Sequence, residues 1–129
     1  MLVDIHTGSL KRTNLPQLRA DMNNPDVAEF TRGFDRMAVV HSSGAPGMLR
    51  TAAVNAGIRA VTLEAGESHR IQEHQIEAGV NSLISLLEKQ EMISRMFVWG
   101  APEPVYYDSL WVRVNHGGIL FSKVGLGDK

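Results

Sequence analysis

Residues 36–66, RMAVVHSSGAPGMLRTAAVNAGIRAVTLEAG, decide the fold. Met37-Ala38-Val39-Val40 is an apolar run bounded by polar residues, so Arg36–His41 reads as a buried strand. Ser42 to Gly47 is turn chemistry that opens a helix. On that helix Leu49, Ala52, Ala53 and Ala56 share one face, and Gly57 is the stop. Arg59–Leu63 is the next strand. Strand, helix and strand in so short a stretch form a compact βαβ unit, whose two strands are expected to be parallel and covered by helices. The expected class is α/β, with a mostly parallel sheet flanked by helices.

Toward the N-terminus, Leu2-Val3-Asp4-Ile5 is a short apolar strand that starts with no lead-in. Residues 7–26 are polar and carry two prolines, which predicts a long loop. Val27–Phe34 is expected to be a short helix capped by Asp26 and stopped near Gly33. Toward the C-terminus, Ile71–Gln90 has the clearest helical period. Ile76, Val80, Leu83, Ile84 and Leu87 mark its expected core face. After Met96 the period changes. Met96–Trp99, Tyr106-Tyr107, Leu110–Val114 and Gly118–Phe121 read as short strands separated by turn residues. The expected division is an α/β unit over residues 1–98 and a β unit over 99–129. Both ends read as cut from something longer.

The chain has 129 residues, enough for one domain with a real core. Thirteen Lys and Arg stand against fourteen Asp and Glu, evenly spread, for a net charge of −1. That distribution argues against nucleic acid or an anionic membrane as partner. No apolar run is long enough to span a bilayer, and the start lacks a signal peptide's basic region. Zero cysteines exclude a disulfide framework, a thiolate zinc site and a thiol nucleophile, and place the chain by default in the cytoplasm. Any metal would be held by His and carboxylates.

Ligands of open parallel sheets bind outside the carboxyl ends of the strands. His6, His41 and Glu64 each follow a strand, so all three are expected to converge on one edge. Asp4 lies two residues before His6 and shares its strand face. A carboxylate there would fix the tautomer of a metal-binding imidazole. Glu64 stands where a general base is wanted. The bland reading is that each is a hydrogen-bonded structural residue, and His41 has nothing further in its favour. Three patterns are decoys. Gly44 to Thr51 holds Leu49 and Arg50 where a phosphate-binding loop needs Gly and Lys. Ser42 and Ser43 do not sit in a Gly-x-Ser-x-Gly elbow. His74 and Glu77 form an H-x-x-E string on the solvent side of the long helix.

Val3-Asp4-Ile5-His6-Thr7-Gly8 resembles the D-x-H-T strand end of the succinylglutamate desuccinylase/aspartoacylase family. Ala60 to Glu67 is similar to that family's segment around its catalytic glutamate. Gly47–Ile58 and Ala78–Leu83 resemble the helices on either side, and Val114–Leu120 with Val124–Asp128 resembles the start of its small β domain. The resemblance implies a zinc-dependent deacylase with a carboxypeptidase-like fold. It implies His6 as one zinc ligand, Asp4 behind it and Glu64 as the general acid/base. The family's other two ligands come from an H-x-x-E motif ahead of D-x-H-T, and nothing precedes it in these 129 residues. The chain would then be the C-terminal half of a catalytic domain, residues 1–98, followed by the beginning of a β domain, 99–129. It would hold zinc weakly by itself. In the complete enzyme, zinc would polarise an amide carbonyl and lower the pKa of a bound water. The substrate implied is a small N-acyl amino acid or similar amide.

Two other readings compete. One is a non-catalytic binding or assembly module in which His6 and Glu64 are vestigial. The other is a serine hydrolase built on Ser42 or Ser43 with His41. A half-domain leaves apolar surface where its missing partner should pack, so the sheet edge beside Leu2–Ile5 is expected to be unpaired and to recruit another strand, and self-association or a homo-oligomer is expected.

Overall fold

A computed structural model describes residues 1–94 and 104–128. In chain order the elements are β1 (Leu2–His6), β2 (Thr13–Ala20), α1 (Pro25–Thr31), β3 (Ala38–His41), α2 (Leu49–Asn55), β4 (Ala60–Glu67), α3 (Glu73–Lys89) and β5 (Val105–Tyr106). They form one five-stranded sheet in the order β1-β4-β2-β3-β5. β1 is parallel to β4, and β3 is parallel to both β2 and β5. β2 runs antiparallel to β4. Three of the four pairings are parallel, and the α/β architecture expected from the sequence is the one observed.

Two local expectations are corrected. The stretch 7–26 is not all loop, because β2 forms inside it. Leu18 and Ala20 are fully buried, while Gln17 and Arg19, alternating with them, stay partly exposed, which is the period of a strand with one core face. Pro16 is tolerated because it falls where the β2–β4 register shifts, between Asn14 and Gln17. With β2 inserted between them, β3 and β4 are neither neighbours nor parallel. The predicted βαβ crossover is therefore absent, although β1, β3 and β4 do share one sheet.

The helices begin and end for identifiable reasons. α1 starts earlier than expected. Pro25 supplies a fixed φ at the first turn, and Asn24, not Asp26, is the cap. The Asn24 Oδ1 accepts from the backbone N–H of Asp26 at 3.0 Å and of Val27 at 3.2 Å. α2 ends as predicted at Gly57, whose φ of +76° suits a glycine. Beyond it, the Ile58 N–H donates to the Ala53 carbonyl at 2.9 Å, and the Gly57 N–H donates to that of Val54 at 3.0 Å.

The core lies on the sheet face that carries Leu18, Val61 and Leu63. Val27, Phe30 and Phe34 cover it from the α1 side and Leu86 from α3. Phe30 and Phe34 meet edge to face at 5.5 Å between ring centres. α3 buries Gly79, Ser82, Ser85 and Leu86, whereas Ile76 and Val80 stay about half exposed. The predicted apolar stripe is therefore only partly the packed one. Small residues let α3 approach the sheet, and Ile76 and Val80 line an apolar groove with Ile5, Leu63 and Leu83.

β5 pairs with β3, but residues 107–128 contain no strand. The stretches 110–114 and 118–121, expected to be strands, stay exposed and have no ladder partner among the described residues. Met96–Trp99 and the expected boundary at 98/99 lie outside the described residues. Among the described residues no helix is long and apolar enough to cross a membrane.

Candidate active site

The parallel register of β1 and β4 sets His6 directly opposite Glu64 and Asp4 opposite Thr62. Residues opposite one another in a sheet point to the same face, so Asp4, His6 and Glu64 stand together on the face away from Leu63. Glu64 is also opposite Gln17 of β2, and Thr62 opposite Arg19, which adds two more polar side chains to that face. The short turn after β1 closes tightly. The Gly8 N–H donates to the Gly66 carbonyl at 2.9 Å, and any Cβ on Gly8 would lie 2.3 Å from the Arg12 carbonyl oxygen.

His6 is about half exposed, and its Nε2 lies 3.0 Å from Asp4 Oδ2. With Asp4 accepting, the neutral ring carries its proton on Nε2 and leaves the Nδ1 lone pair open. Glu64 is the better sheltered of the two, its side chain 14% exposed. Its Oε2 accepts from Asn14 Nδ2 at 2.7 Å and from Gln17 Nε2 at 3.2 Å, and its Oε1 accepts from Arg19 Nε at 2.9 Å. All three donors come from β2, so the strand missed in the sequence is the one that fixes the carboxylate. The polar–apolar alternation of Gln17-Leu18-Arg19-Ala20 is the sequence signal for this strand and for two of its donors, Gln17 and Arg19.

These groups border a polar cleft of about 480 Å³ that includes His6, Arg12, Asn14, Arg19, Glu64 and Trp111. The Arg12 guanidinium sits 4.7 Å from the centre of the Trp111 ring, within cation–π range. Arg50 of α2 is buried and donates from Nη1 to the Ser42 carbonyl at 2.8 Å. Burial pushes its guanidinium below the usual arginine pKa. Asp21 opposes that shift, Arg19 adds to it and Glu64 opposes it. Arg12, Arg50 and Trp111 carried no functional signal in the sequence.

His41 does not join the cluster. It is opposite Ala20, whose neighbour Arg19 shares the Glu64 face, so His41 is on the other face. Its Nδ1 accepts from the Met22 N–H at 3.1 Å, and its ring lies 5.7 Å from that of Tyr107. Of the three residues expected at one edge, two converge, and the third is excluded by the antiparallel insertion of β2. Ser42 Oγ accepts from the Gly44 N–H, and Ser43 Oγ contacts Asp21. Among the described residues neither hydroxyl is hydrogen-bonded to an imidazole, which leaves the serine-hydrolase reading without its general base. His74 and Glu77 are exposed on α3, as expected.

Among the described residues no group of three or more His, Asp or Glu side chains is placed to hold a metal ion. His6 contributes one free ring nitrogen, and a catalytic zinc takes three protein ligands and an open position. The described residues therefore do not by themselves fit a zinc site.

The family described as the succinylglutamate desuccinylase/aspartoacylase catalytic domain matches residues 1–89. No curated protein matches the sequence closely enough to serve as a relative. Among solved structures, the apo ectoine utilization protein EutE (DoeB) from Ruegeria pomeroyi superposes with a TM-score of 0.70 at 19% identity. The match covers 83% of this chain and 37% of that one. At that identity the likeness is one of fold.

Proposed function

This chain belongs to the succinylglutamate desuccinylase/aspartoacylase family, and on that premise we propose that it carries part of the active site of a zinc-dependent deacylase. The bond cleaved is the amide of an N-acyl amino acid or a similar small compound. One observation carries the reading: His6 and Glu64, the two residues to which the resemblance gives chemistry, are register partners on one face and border one polar cleft. Residues 1–98 belong to the second half of the catalytic domain in this reading, and 99–129 open a small β domain. A cytoplasmic setting suits a chain with no cysteine.

Glu64 is the proton carrier. Its carboxylate takes a proton from the water that attacks the acyl carbon. As the C–N bond breaks it returns that proton to the leaving nitrogen, so a carboxylate and a free amine leave the cleft. Arg12 gives the cleft a positive group suited to a substrate carboxylate. His6, oriented by Asp4, is the chain's contribution to zinc. One imidazole is an incomplete ligand set, so no step is assigned to the ion.

The test is hydrolysis by the full-length protein of a panel of N-acyl amino acids that includes N-succinylglutamate and N-acylaspartates. We expect release of the free amino acid, loss of turnover with a chelator, recovery with zinc and no effect of a serine-reactive phosphonate. A zinc-loaded protein inert across the panel would favour the alternative, a binding or assembly module with a vestigial site.

A further inference from the structure

A carboxylate has about four lone-pair positions for hydrogen bonds. On Glu64, Asn14 and Gln17 fill both positions of Oε2, and Arg19 fills one on Oε1. Among the described residues one position remains, on Oε1. We infer that Arg19, with Asn14 and Gln17, is a positioning residue that aims this single open lone pair of Glu64 at the reacting water. The inference rests on Glu64 being the base.

The geometry explains why three donors are gathered on one side chain. A glutamate has three rotatable bonds, and a free one near a cleft would sample several positions. Proton transfer needs the acceptor within hydrogen-bond reach of the water, and misplacement by about 1 Å can cost roughly 10²-fold in rate. Asn14 and Gln17 sit on either side of the β2 register shift, which lets two side chains so close in sequence reach the same oxygen. Arg19 approaches the other oxygen through Nε, and its side chain is about two-fifths exposed. That exposed part of the side chain borders the cleft. In the transfer, a water O–H bond breaks and an O–H bond forms on Oε1. The proton then moves to the departing nitrogen, and the Arg19 hydrogen bond to Oε1 is strongest whenever Glu64 is ionised.

The test uses Arg19→Gln, Arg19→Lys, Asn14→Ala and Glu64→Gln in the full-length protein, with whichever N-acyl amino acid of the panel is turned over fastest. We expect Arg19→Gln to lower kcat by roughly 10²-fold while KM stays within about threefold of wild type. Asn14→Ala should lower kcat less, and Arg19→Lys should recover part of the loss. Crystals of Arg19→Gln provide a reading that needs no turnover: the Glu64 carboxylate should leave its wild-type position. Unchanged kcat in Arg19→Gln and Asn14→Ala, or an undisturbed Glu64 carboxylate, would overturn the inference. So would a raised KM with kcat intact, which would make Arg19 a substrate contact. Glu64→Gln separates the two ideas. If it keeps full turnover, the base assignment itself fails. If it loses turnover while the Arg19 and Asn14 variants do not, the positioning role fails alone.

Discussion

At the residue scale, the two carboxylates at the end of β4 face different work. Glu64 is enclosed by donors from β2, whereas Glu67, three residues on, ties the end of the strand to its surroundings. The Thr13 hydroxyl and then Arg70 hold the Glu67 carboxyl below the usual carboxylate range, with a smaller contribution from Gln72. A folded-state pKa below the unfolded one adds stability that is present above the ordinary carboxylate pKa and is lost as the pH falls through the lowered value. The strand end should therefore loosen on acidification below the usual range for glutamate. Amide exchange at Glu67, whose N–H donates to Gln72 Oε1 at 2.9 Å, reports that loosening. Glu67→Gln should remove the pH dependence of protection at that amide, taken relative to its intrinsic exchange rate. Dependence that survives the substitution would place its source elsewhere.

At the scale of elements, legibility followed apolar contrast. β1, β3, β4 and α2 were readable because each is an apolar run or stripe with turn residues at its ends, and His6 and Glu64 became readable with them. β2 was not, because Asn14, Pro16, Gln17 and Arg19 gave it the composition of a loop. Its strand state is set by the neighbours it pairs with, β4 and β3. The donors that hold Glu64 were lost with it, and so was the reason that β3 and β4 run opposite ways. The short apolar runs at 110–114 and 118–121 failed in the other direction. They have strand composition but no partner strand among the described residues, and an unpaired apolar run has no ladder to stabilise it. The helix expected over Ile71–Gln90 is α3, Glu73–Lys89, yet its packed face is the small-residue one. Gly79 lies on that face with ordinary backbone angles, and a Cβ there would meet Leu63 Cδ2 at 3.8 Å, a normal contact. Gly79→Ala should therefore raise stability by about 0.5–1 kcal/mol through helix propensity, seen as a higher urea midpoint. A lower midpoint would mean that α3 sits closer to β4 than described.

At the scale of the whole molecule, β1 is an outer strand of the sheet, paired on one side with β4. Beside it lies the apolar groove lined by Ile5, Leu63, Ile76, Val80 and Leu83, with a volume of about 470 Å³. An unpaired edge next to apolar surface recruits further strands. Sedimentation of the 129-residue chain should show concentration-dependent association, weakened by Ile5→Glu, whose side chain is already mostly exposed. A strictly monomeric chain at high concentration would count against this edge as a docking surface. The proposed deacylase centre, in which Glu64 beside His6 carries the proton, is tested by kcat of Glu64→Gln in the full-length protein, with its zinc content determined alongside. A fall of roughly 10²–10⁴-fold with zinc retained is expected, because the amide keeps the shape of the carboxylate but cannot accept the proton. Wild-type turnover in that variant would contradict it.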